Sequence, residues 1–426
     1  MSVLLYLLNA LLLAVLVWWL QSQYRFTEIK PYFFPALLLK LICGLLLGLL
    51  YHYYYTAGDT ITYYKASLKL SAYAEHNFAA YLRLLFFNEF ESDAFRATLP
   101  FTRHPGFSNS FFIIKWLSAL NFFTNSSYWL NSLYFSLFSF WGTAKLTAVL
   151  SVLFPGTKRA AVVAFLFFPS VVFWSSGLLK DAVMIGSMCW IVAFILELAQ
   201  NKPQSIGRWL LAFFMLYLFV RIKVFFSLAL LLLLIGYLVV MVLAKYKPAF
   251  LKLPVQLLVI LGFVTVPGLL AMQTIGFYKF DFVANQLVRT YTGLLAISKH
   301  GPHLTYPSLA PNLQSIVFYA PEAFFSSIFR PYLGESWQGL YILMGLENVL
   351  LAVLVVIAVI SLIRNGLQNM NLLHLVLLLF ILVAGTMIGL STPNFGTLSR
   401  YRIIFLPFLV YLLLQNRIAQ KLLAKL

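Results

Sequence analysis

The chain contains few charged residues, and few of those are acidic. Only 10% of its 426 residues are Asp, Glu, Lys or Arg, whereas 62% are hydrophobic. A soluble domain carries about 25% charged residues, so this composition excludes an ordinary soluble protein. The 30 basic residues outnumber the 12 acidic ones and give a net charge of +18. In a chain this apolar, we interpret that excess as cytoplasmic Lys and Arg and not as a nucleic-acid-binding surface.

Cysteine and the common motifs of soluble enzymes are also scarce. The two cysteines, Cys43 and Cys189, both lie inside apolar runs, which argues against a disulfide framework or a cysteine metal site. The chain has no Gly-rich phosphate loop, dinucleotide-binding glycine pattern, Gly-x-Ser-x-Gly elbow or Cys-x-x-Cys pair. We therefore expect no nucleotide hydrolysis, no redox chemistry and no cofactor, with a divalent cation left open.

Repeated long apolar runs are the dominant feature of what remains. They predict an all-α polytopic membrane protein of about 11 transmembrane helices, forming a single integral membrane domain over 1–426. The predicted spans are 3–21, 33–55, 128–153, 159–174, 181–199, 208–220, 224–244, 254–273, 340–363, 372–391 and 402–415.

Short basic connections between these runs predict the orientation. Placing them in the cytoplasm puts the N-terminus outside, the C-terminus inside, and two long loops outside, at about 56–127 and 274–339. The apolar stretch Ser110–Phe123 is short for a span and carries Lys115 in mid-run, so we expect a helix lying in the membrane interface.

Asp59 is the candidate catalytic residue. It closes a long apolar segment and opens a polar stretch as Gly58-Asp59-Thr60, with Tyr63 and Tyr64 close behind. A carboxylate among tyrosines at a membrane boundary suits a base, or a sugar ligand, in an enzyme that acts on a lipid-borne sugar. The alternative is a helix cap within an interfacial belt of aromatic residues.

Two pairs of residues inside apolar surroundings are candidate anion ligands. Lys180 and Asp181 follow a Ser-Ser-Gly turn and begin a span, where free N–H groups and a lysine could bind an anion. The alternative is a capped hairpin with a self-paired Lys-Asp. Arg221 and Lys223 lie between two apolar runs, where a charge normally lines a cavity or finds a partner. They could bind a substrate diphosphate or extend to lipid headgroups.

Three further arginines are predicted to bind substrate. Arg400 and Arg402 follow a Pro/Asn/Gly-rich connection on the predicted outer face, where no cytoplasmic charge bias explains them. Arginine suits phosphate because its planar fork can bind two oxygens. Arg330, beside Pro331 and Tyr332, could meet a sugar or a phosphate, or could belong to an aromatic loop resting on the membrane.

The layout of two spans followed by Gly58-Asp59-Thr60, Tyr63 and Tyr64 resembles a known family. It is similar to the Gly-Thr-Asp-Tyr sequence at the start of the first outer loop in bacterial exopolysaccharide and O-antigen repeat-unit polymerases. More broadly, it resembles polytopic glycosyltransferases of the GT-C type that use polyprenyl-phosphate-linked sugars. The resemblance implies ten or more helices, two large outer loops, an essential acidic residue in the first loop and outer arginines that hold the lipid diphosphate. Here the order is Gly-Asp-Thr, which leaves open whether Asp59 is catalytic or binds sugar.

The sequence thus favours a membrane glycosyltransferase or polysaccharide polymerase at the outer face of the bacterial inner (cytoplasmic) membrane. Its expected partners are a polyprenyl-diphosphate-linked glycan, membrane lipids and other polysaccharide-assembly proteins, and no nucleic acid. A transporter or flippase for lipid-linked glycans and a non-catalytic subunit of an envelope assembly are the alternatives.

Overall fold

A computed structural model describes residues 2–23, 28–55, 58–274, 280–298, 301–366 and 371–424. The described residues are mostly α-helical and include no strand, apart from an isolated bridge between His303 and Asn394. The first eleven helices are α1 (Ser2–Ser22), α2 (Lys30–Leu49), α3 (Asp59–His76), α4 (Phe78–Phe87), α5 (Asp93–Ala97), α6 (Asn109–Thr124), α7 (Tyr128–Leu153), α8 (Lys158–Val162), α9 (Pro169–Trp174), α10 (Lys180–Ala199) and α11 (Ile206–Tyr246). The others are α12 (Leu253–Thr274), α13 (Phe280–Ser298), α14 (Leu313–Phe329), α15 (Gly339–Asn365), α16 (Leu372–Ser391), α17 (Phe395–Tyr401), α18 (Leu406–Leu413) and α19 (Arg417–Leu423).

The all-helical membrane architecture is confirmed, but the count of 11 spans is not. Within the described residues, seven helices are long and apolar enough to cross a membrane: α1, α2 with the π-helical turn after it, α7, α10, α11, α15 and α16. The number rises to eight if a pair of helices bent by 68°, Phe395–Ile404 and Leu406–Leu413, forms one span.

One predicted span falls short for a reason visible in the sequence. The segment predicted at 159–174 is divided into α8, a π-helical turn and α9, because Pro169 holds the preceding Phe168 in an extended conformation. The runs predicted at 208–220 and 224–244 lie within α11, where a kink with non-helical backbone angles at Lys223 separates two helical stretches.

The two long loops are not confirmed either, because most of their described residues are helical. The first region holds α3 to α6, and the second holds α13 and α14; residues 56–57, 275–279 and 299–300 lie outside the described residues. The interfacial helix is also not confirmed. Helix α6 packs against α3 and is buried at every position from Ser110 to Lys115, whereas an interfacial helix would keep one polar face in solvent.

The chain divides into two compact units. Unit 1 comprises Met1–Leu153, Val172–Phe194 and Gln204–Phe225, and unit 2 comprises Phe154–Val171, Ile195–Pro203 and Phe226–Leu426. In unit 1, α2 packs against α7 and α3 against α6, while in unit 2 α14 packs against α16. Very close backbone approaches at glycines occur in both units: a Cβ on Gly142 would overlap the carbonyl of Gly186, and one on Gly389 that of Ala323. Small residues permit such close helix packing in membranes.

The polar residues of the first predicted loop form an internal network in unit 1. The Asn121 amide nitrogen donates to the hydroxyls of Ser67 and Ser71, at 3.1 Å each. The Asn131 amide nitrogen donates to the Asn121 amide oxygen at 2.8 Å, and the Thr124 hydroxyl donates to that of Asn131 at 2.8 Å. Buried polar groups satisfied in this way stabilise and specify a core. They position α3, α6 and α7 around the candidate site.

Candidate functional site

The first turn of α10 is fixed by a glycine in the connection before it. Gly177 has φ +68° and donates its N–H to the Ser136 hydroxyl at 2.8 Å. A Cβ there would lie 2.9 Å from the Leu47 side chain and 3.1 Å from the Gly44 carbonyl oxygen. Only glycine fits this backbone and this space without a shift. The turn therefore delivers Lys180 and Asp181 to the start of α10, where both are buried.

Lys180 belongs to a set of polar side chains in contact with one another that runs from α10 through α6 to α3. We call this set the polar chain. Its Nζ lies 3.3 Å from the Ser110 hydroxyl and 3.4 Å from the Asn109 amide oxygen. The Ser110 hydroxyl lies 3.1 Å from the Tyr63 hydroxyl, and the Tyr63 side chain is completely buried. A buried ammonium is thus in contact with neutral oxygens and, through Ser110, with a predicted site tyrosine.

Asp59 occupies the first position of α3, one turn before Tyr63 on the same helical face. The N-cap is Gly58, whose φ of 123° is a conformation that glycine favours. Asp59 itself is therefore not the N-cap. It is a half-buried carboxylate in the first helical turn, close to the partial positive charge of the helix N-terminus.

The break in α11 lies beside the polar chain. Lys223 has φ −144° and ψ 67°, which interrupts the helical hydrogen bonding around it. The Asn109 amide nitrogen donates to the carbonyl of Ile222 at 3.0 Å. Asn109 thus binds the Lys180 ammonium through its oxygen and a backbone carbonyl of the break through its nitrogen. This places the pair Arg221 and Lys223 next to the polar chain.

Arg221 and Tyr64 have contacts of their own in unit 1. The Arg221 guanidinium carbon lies 5.1 Å from the centroid of the Phe112 ring. The Tyr64 hydroxyl donates to the Ser126 carbonyl at 2.7 Å, in the turn between α6 and α7, and burial raises the pKa of Tyr64. Tyr64 therefore anchors that turn, while Tyr63 belongs to the polar chain.

In unit 2 the structure places Arg402 in a buried ion pair. One terminal nitrogen donates to the Glu347 carboxylate at 2.8 Å, and the other donates to the Asn348 amide oxygen at 2.6 Å and the Ile328 carbonyl at 3.2 Å. The second oxygen of Glu347 accepts the Ser170 N–H at 2.8 Å. The two terminal nitrogens of Arg402 are thus occupied by the protein itself, so we assign it to the framework of unit 2 and not to substrate.

Arg330 and Arg400 also lie in unit 2. Arg330 forms an ion pair with Glu335 at 2.6 Å, and its guanidinium carbon lies 4.8 Å from the Tyr332 ring centroid and 5.1 Å from that of Phe395. Arg400 is 7% exposed and lies 5.8 Å from the Tyr401 ring centroid. The connection before it is shorter than the sequence suggests, since Asn394 caps α17 and residues 395–401 are helical. The structure thus describes the three predicted arginines within unit 2.

Asn109 and Ser110 are site residues that the sequence reasoning missed. Ser108 caps α6 by accepting the N–H of Phe111, and this cap positions Asn109 and Ser110 at the helix start. The polar run Ser-Asn-Ser before an apolar stretch is a recognisable helix-start signal. On that basis, Asn109 and Ser110 could have been proposed as inward-facing groups.

Comparison of the chain with protein-family models, with curated proteins and with solved structures finds no match in any of the three. Among the described residues, no group of three or more His, Cys, Asp or Glu side chains is placed to hold a metal ion. We therefore infer the function from the residues of the polar chain.

Proposed function

We propose that this protein is a membrane glycosyltransferase that uses a polyprenyl-diphosphate-linked sugar donor. The observation that supports this most is the polar chain of unit 1. It connects a buried ammonium, Lys180, to Tyr63, one helical turn from the carboxylate Asp59. A charge inside a membrane protein is costly and usually marks a site for substrate or ion. We place the reaction at the outer face of a bacterial cytoplasmic membrane, with the N-terminus outside and the C-terminus in the cytoplasm.

In the proposed reaction, the two ends of the polar chain have separate tasks. The oxygen of an acceptor hydroxyl forms a bond to the anomeric carbon of the donor sugar, while the bond from that carbon to the diphosphate oxygen breaks. The diphosphate leaves with the electron pair, and the hydroxyl proton passes to the Asp59 carboxylate. Lys180, with Lys223 at the break of α11, stabilises the negative charge that develops on the leaving group. Tyr63 orients the acceptor through its hydroxyl.

The remaining predicted residues receive supporting roles. Asp181, buried beside Lys180, positions the first turn of α10. Arg400 stays a proposed contact for the glycan, whereas Arg330 and Arg402 stabilise unit 2 through their ion pairs with Glu335 and Glu347.

The direct test is Asp59→Asn, with Asp281→Asn as a matched control. Asp281 is likewise an acidic residue in the first turn of a helix, and it is exposed. Each substitution removes a favourable interaction with the helix N-terminus worth about 0.3–1 kcal/mol, so both variants should fold. Removing a general base lowers the rate by about 100-fold or more. We expect Asp59→Asn cells to accumulate lipid-linked donor and to lose product, as measured by extraction and chain-length analysis of their glycans.

Normal product from folded Asp59→Asn protein would remove Asp59 from the reaction and reject the proposal. A loss of product in both Asp59→Asn and Asp281→Asn would instead indicate a general effect of charge on the helix starts.

Transport of a lipid-linked glycan is the second candidate, because two helices are broken. The non-helical backbone at Lys223 interrupts α11, and Phe395–Ile404 is bent by 68° from Leu406–Leu413. Broken helices are a recurrent feature of transporters. Purified protein in nanodiscs, supplied with lipid-linked donor and acceptor, separates the two candidates. A transferase releases polyprenyl diphosphate, whereas a transporter leaves the sugar–diphosphate bond intact.

A further inference from the structure

Unit 1 contains a cavity of about 620 Å³ that carries two cations. The residues that line it include Lys115, Arg221, Asn88, Tyr217, Phe112 and Trp116. None of the residues that line it is acidic. A cavity with two positive charges and no carboxylate in its described lining favours an anionic occupant.

Lys115 is held in this cavity by neutral groups. Its Nζ donates to the Leu85 carbonyl and to the Asn88 amide oxygen, both at 2.8 Å, at the C-terminal end of α4. The Lys115 side chain is buried in the core of unit 1. Burial, together with repulsion from Arg221, lowers the pKa of Lys115 to about 8. A bound anion would relieve that repulsion.

An apolar cavity of about 380 Å³ adjoins the basic one and shares part of its wall. Phe112, Trp116 and Ala119 line both cavities and lie on one face of α6. Away from the cations, the apolar cavity continues between Leu120, Phe123, Phe135 and Leu218. Its wall is therefore suited to a hydrocarbon chain.

Large aromatic side chains at these cavities are exposed at the surface of the chain. Trp116 is 45% exposed, Tyr217 is 49% exposed and Phe123 is 68% exposed. In a membrane protein, exposed aromatic surface of this kind faces lipid or the headgroup region. Both cavities therefore open onto a surface whose aromatic character suits contact with lipid.

We propose that the two cavities together bind one anionic phospholipid of the surrounding membrane. Its phosphate lies between Lys115 and Arg221, and one acyl chain lies against Phe112, Trp116 and Ala119. Arginine binds phosphate through two oxygens, and the ammonium of Lys115 adds a second charged contact. The occupant is a bilayer lipid and not the sugar donor, so this site is additional to the proposed reaction at Lys180 and Asp59.

Trp116 provides a direct probe of this site, because it lines both cavities. Tryptophan fluorescence of the full chain, in phosphatidylcholine vesicles with added brominated phosphatidylglycerol or brominated phosphatidylcholine, reports lipid contact. The difference between the wild-type protein and Trp116→Phe isolates the signal of this residue. We expect the anionic lipid to be preferred by about tenfold, because phosphatidylcholine brings its own choline cation close to Lys115 and Arg221 and phosphatidylglycerol does not.

Two variants separate the charged part of the site from the apolar part. Arg221→Gln should reduce the preference to near unity without abolishing quenching, and Arg208→Gln, the same substitution near the start of α11, should leave it unchanged. Ala119→Phe fills the shared wall and should reduce quenching by both lipids. Lys115 is a less suitable first variant because it also caps α4.

Equal quenching by the two lipids in the wild-type protein, or an unchanged preference in Arg221→Gln, would reject the site. Displacement of brominated phosphatidylglycerol by polyprenyl phosphate at equal mole fraction would show that the donor is the occupant, and would also reject the proposal. The vesicles contain no sugar donor, so these outcomes are independent of whether the chain transfers sugar.

Discussion

The two units bury their cations in different ways. In unit 2 the Arg402 guanidinium faces a carboxylate, Glu347, at 2.8 Å, and the Arg402 side chain is completely buried. In unit 1 the ammonium groups of Lys40, Lys115 and Lys180 contact hydroxyl, amide and carbonyl oxygens. These three lysines are only 3%, 8% and 8% exposed.

This difference indicates which unit is suited to an anionic substrate. A buried ion pair is satisfied internally, and removing one partner leaves an uncompensated charge. A buried ammonium on neutral oxygens keeps its net charge, so its free energy falls when an anion arrives. The charge pattern thus favours a framework role for the unit 2 pair and an anion-binding role for Lys115 and Lys180, the unit 1 lysines at the proposed sites.

The largest expected effect concerns the buried ion pair between Arg402 and Glu347 in unit 2. Glu347→Gln keeps the shape of the side chain but removes the countercharge of Arg402. We expect the free energy of unfolding to fall by about 3–5 kcal/mol. Thermal unfolding of purified protein in detergent measures this.

The matched control is Glu335→Gln, which breaks the partly exposed ion pair with Arg330. This substitution should lower the free energy of unfolding by about 0–1 kcal/mol. Equal losses in the two variants would mean that burial does not distinguish the two pairs.

The second effect concerns Lys180. Lys180→Met removes the charge and keeps a side chain of similar length, while Asn109, Ser110 and Tyr63 can still bond to one another. We expect at least about tenfold less glycan product, from the loss of one charge-assisted contact, at a nearly unchanged melting temperature.

Lys40→Met is the comparison, since Lys40 is as buried as Lys180 but donates to Ser175. Its product level should stay near that of the wild-type protein when expression is matched. If both variants lose product equally, Lys180 has no special role among the buried lysines.

The third effect concerns the break in α11. Asn109→Ala leaves the Ile222 carbonyl without its side-chain donor, and an unsatisfied buried acceptor costs about 1–3 kcal/mol. Asn285→Ala in unit 2 removes an exposed bond from the Asn285 side chain to the carbonyl of Asp281 in its own helix and should cost much less. Chemical denaturation of both variants measures the difference, and equal losses would argue against a buried role for Asn109.

The smallest effect is a pH dependence of the lipid site. The pKa of Lys115 is lowered from its ordinary value to about 8, so its charge in the empty protein is present below pH 8 and lost above it. We expect the preference for phosphatidylglycerol to fall as the pH rises through 8, because Arg221 alone then attracts the phosphate. Over the same pH range the free energy of unfolding should rise, because Lys115 stays protonated in the unfolded chain after it has lost its proton in the folded protein.

Trp116 quenching between pH 7 and 9 measures this preference, and a Tyr217→Phe background removes the phenol that also lines the cavity. In Lys115→Gln the pH dependence should disappear. A preference that stays constant across this range in the wild-type protein would mean that Lys115 does not contact the lipid phosphate.

The helical membrane architecture could be predicted from the sequence because apolar runs are a local signal. The break near Arg221 and Lys223 could also be anticipated, since two charges interrupt the run that forms α11. The predicted first loop shows where this reasoning fails. Its polar residues suggested exposure to solvent, yet Asn121 is bonded to Asn131 of α7 inside unit 1. Hydropathy measures how polar a residue is, but it does not reveal a polar partner elsewhere in the chain.

The candidate site was predictable in part for the same reason. Lys180 was selected at a helix start with free N–H groups, and Arg402 because no cytoplasmic charge bias explains an arginine on the predicted outer face. The two differ only in their partners, and the carboxylate that contacts Arg402 lies 55 residues earlier in the chain. No local pattern indicates that pairing, so the sequence could identify both cations but could not separate a binding residue from a framework residue.

The division of the chain into interleaved units also sets an order for its synthesis. Unit 1 has all its segments once translation reaches Phe225, whereas unit 2 begins with Phe154–Val171 and is completed only near the C-terminus. The Ser170 N–H must wait for Glu347, 177 residues later, before it can form its hydrogen bond. Since N-terminal parts generally fold first during synthesis, unit 1 can assemble while the first segment of unit 2 is still without its partners. A ribosome stalled between these two points would therefore carry a complete set of polar-chain residues and an unfinished framework around Arg402.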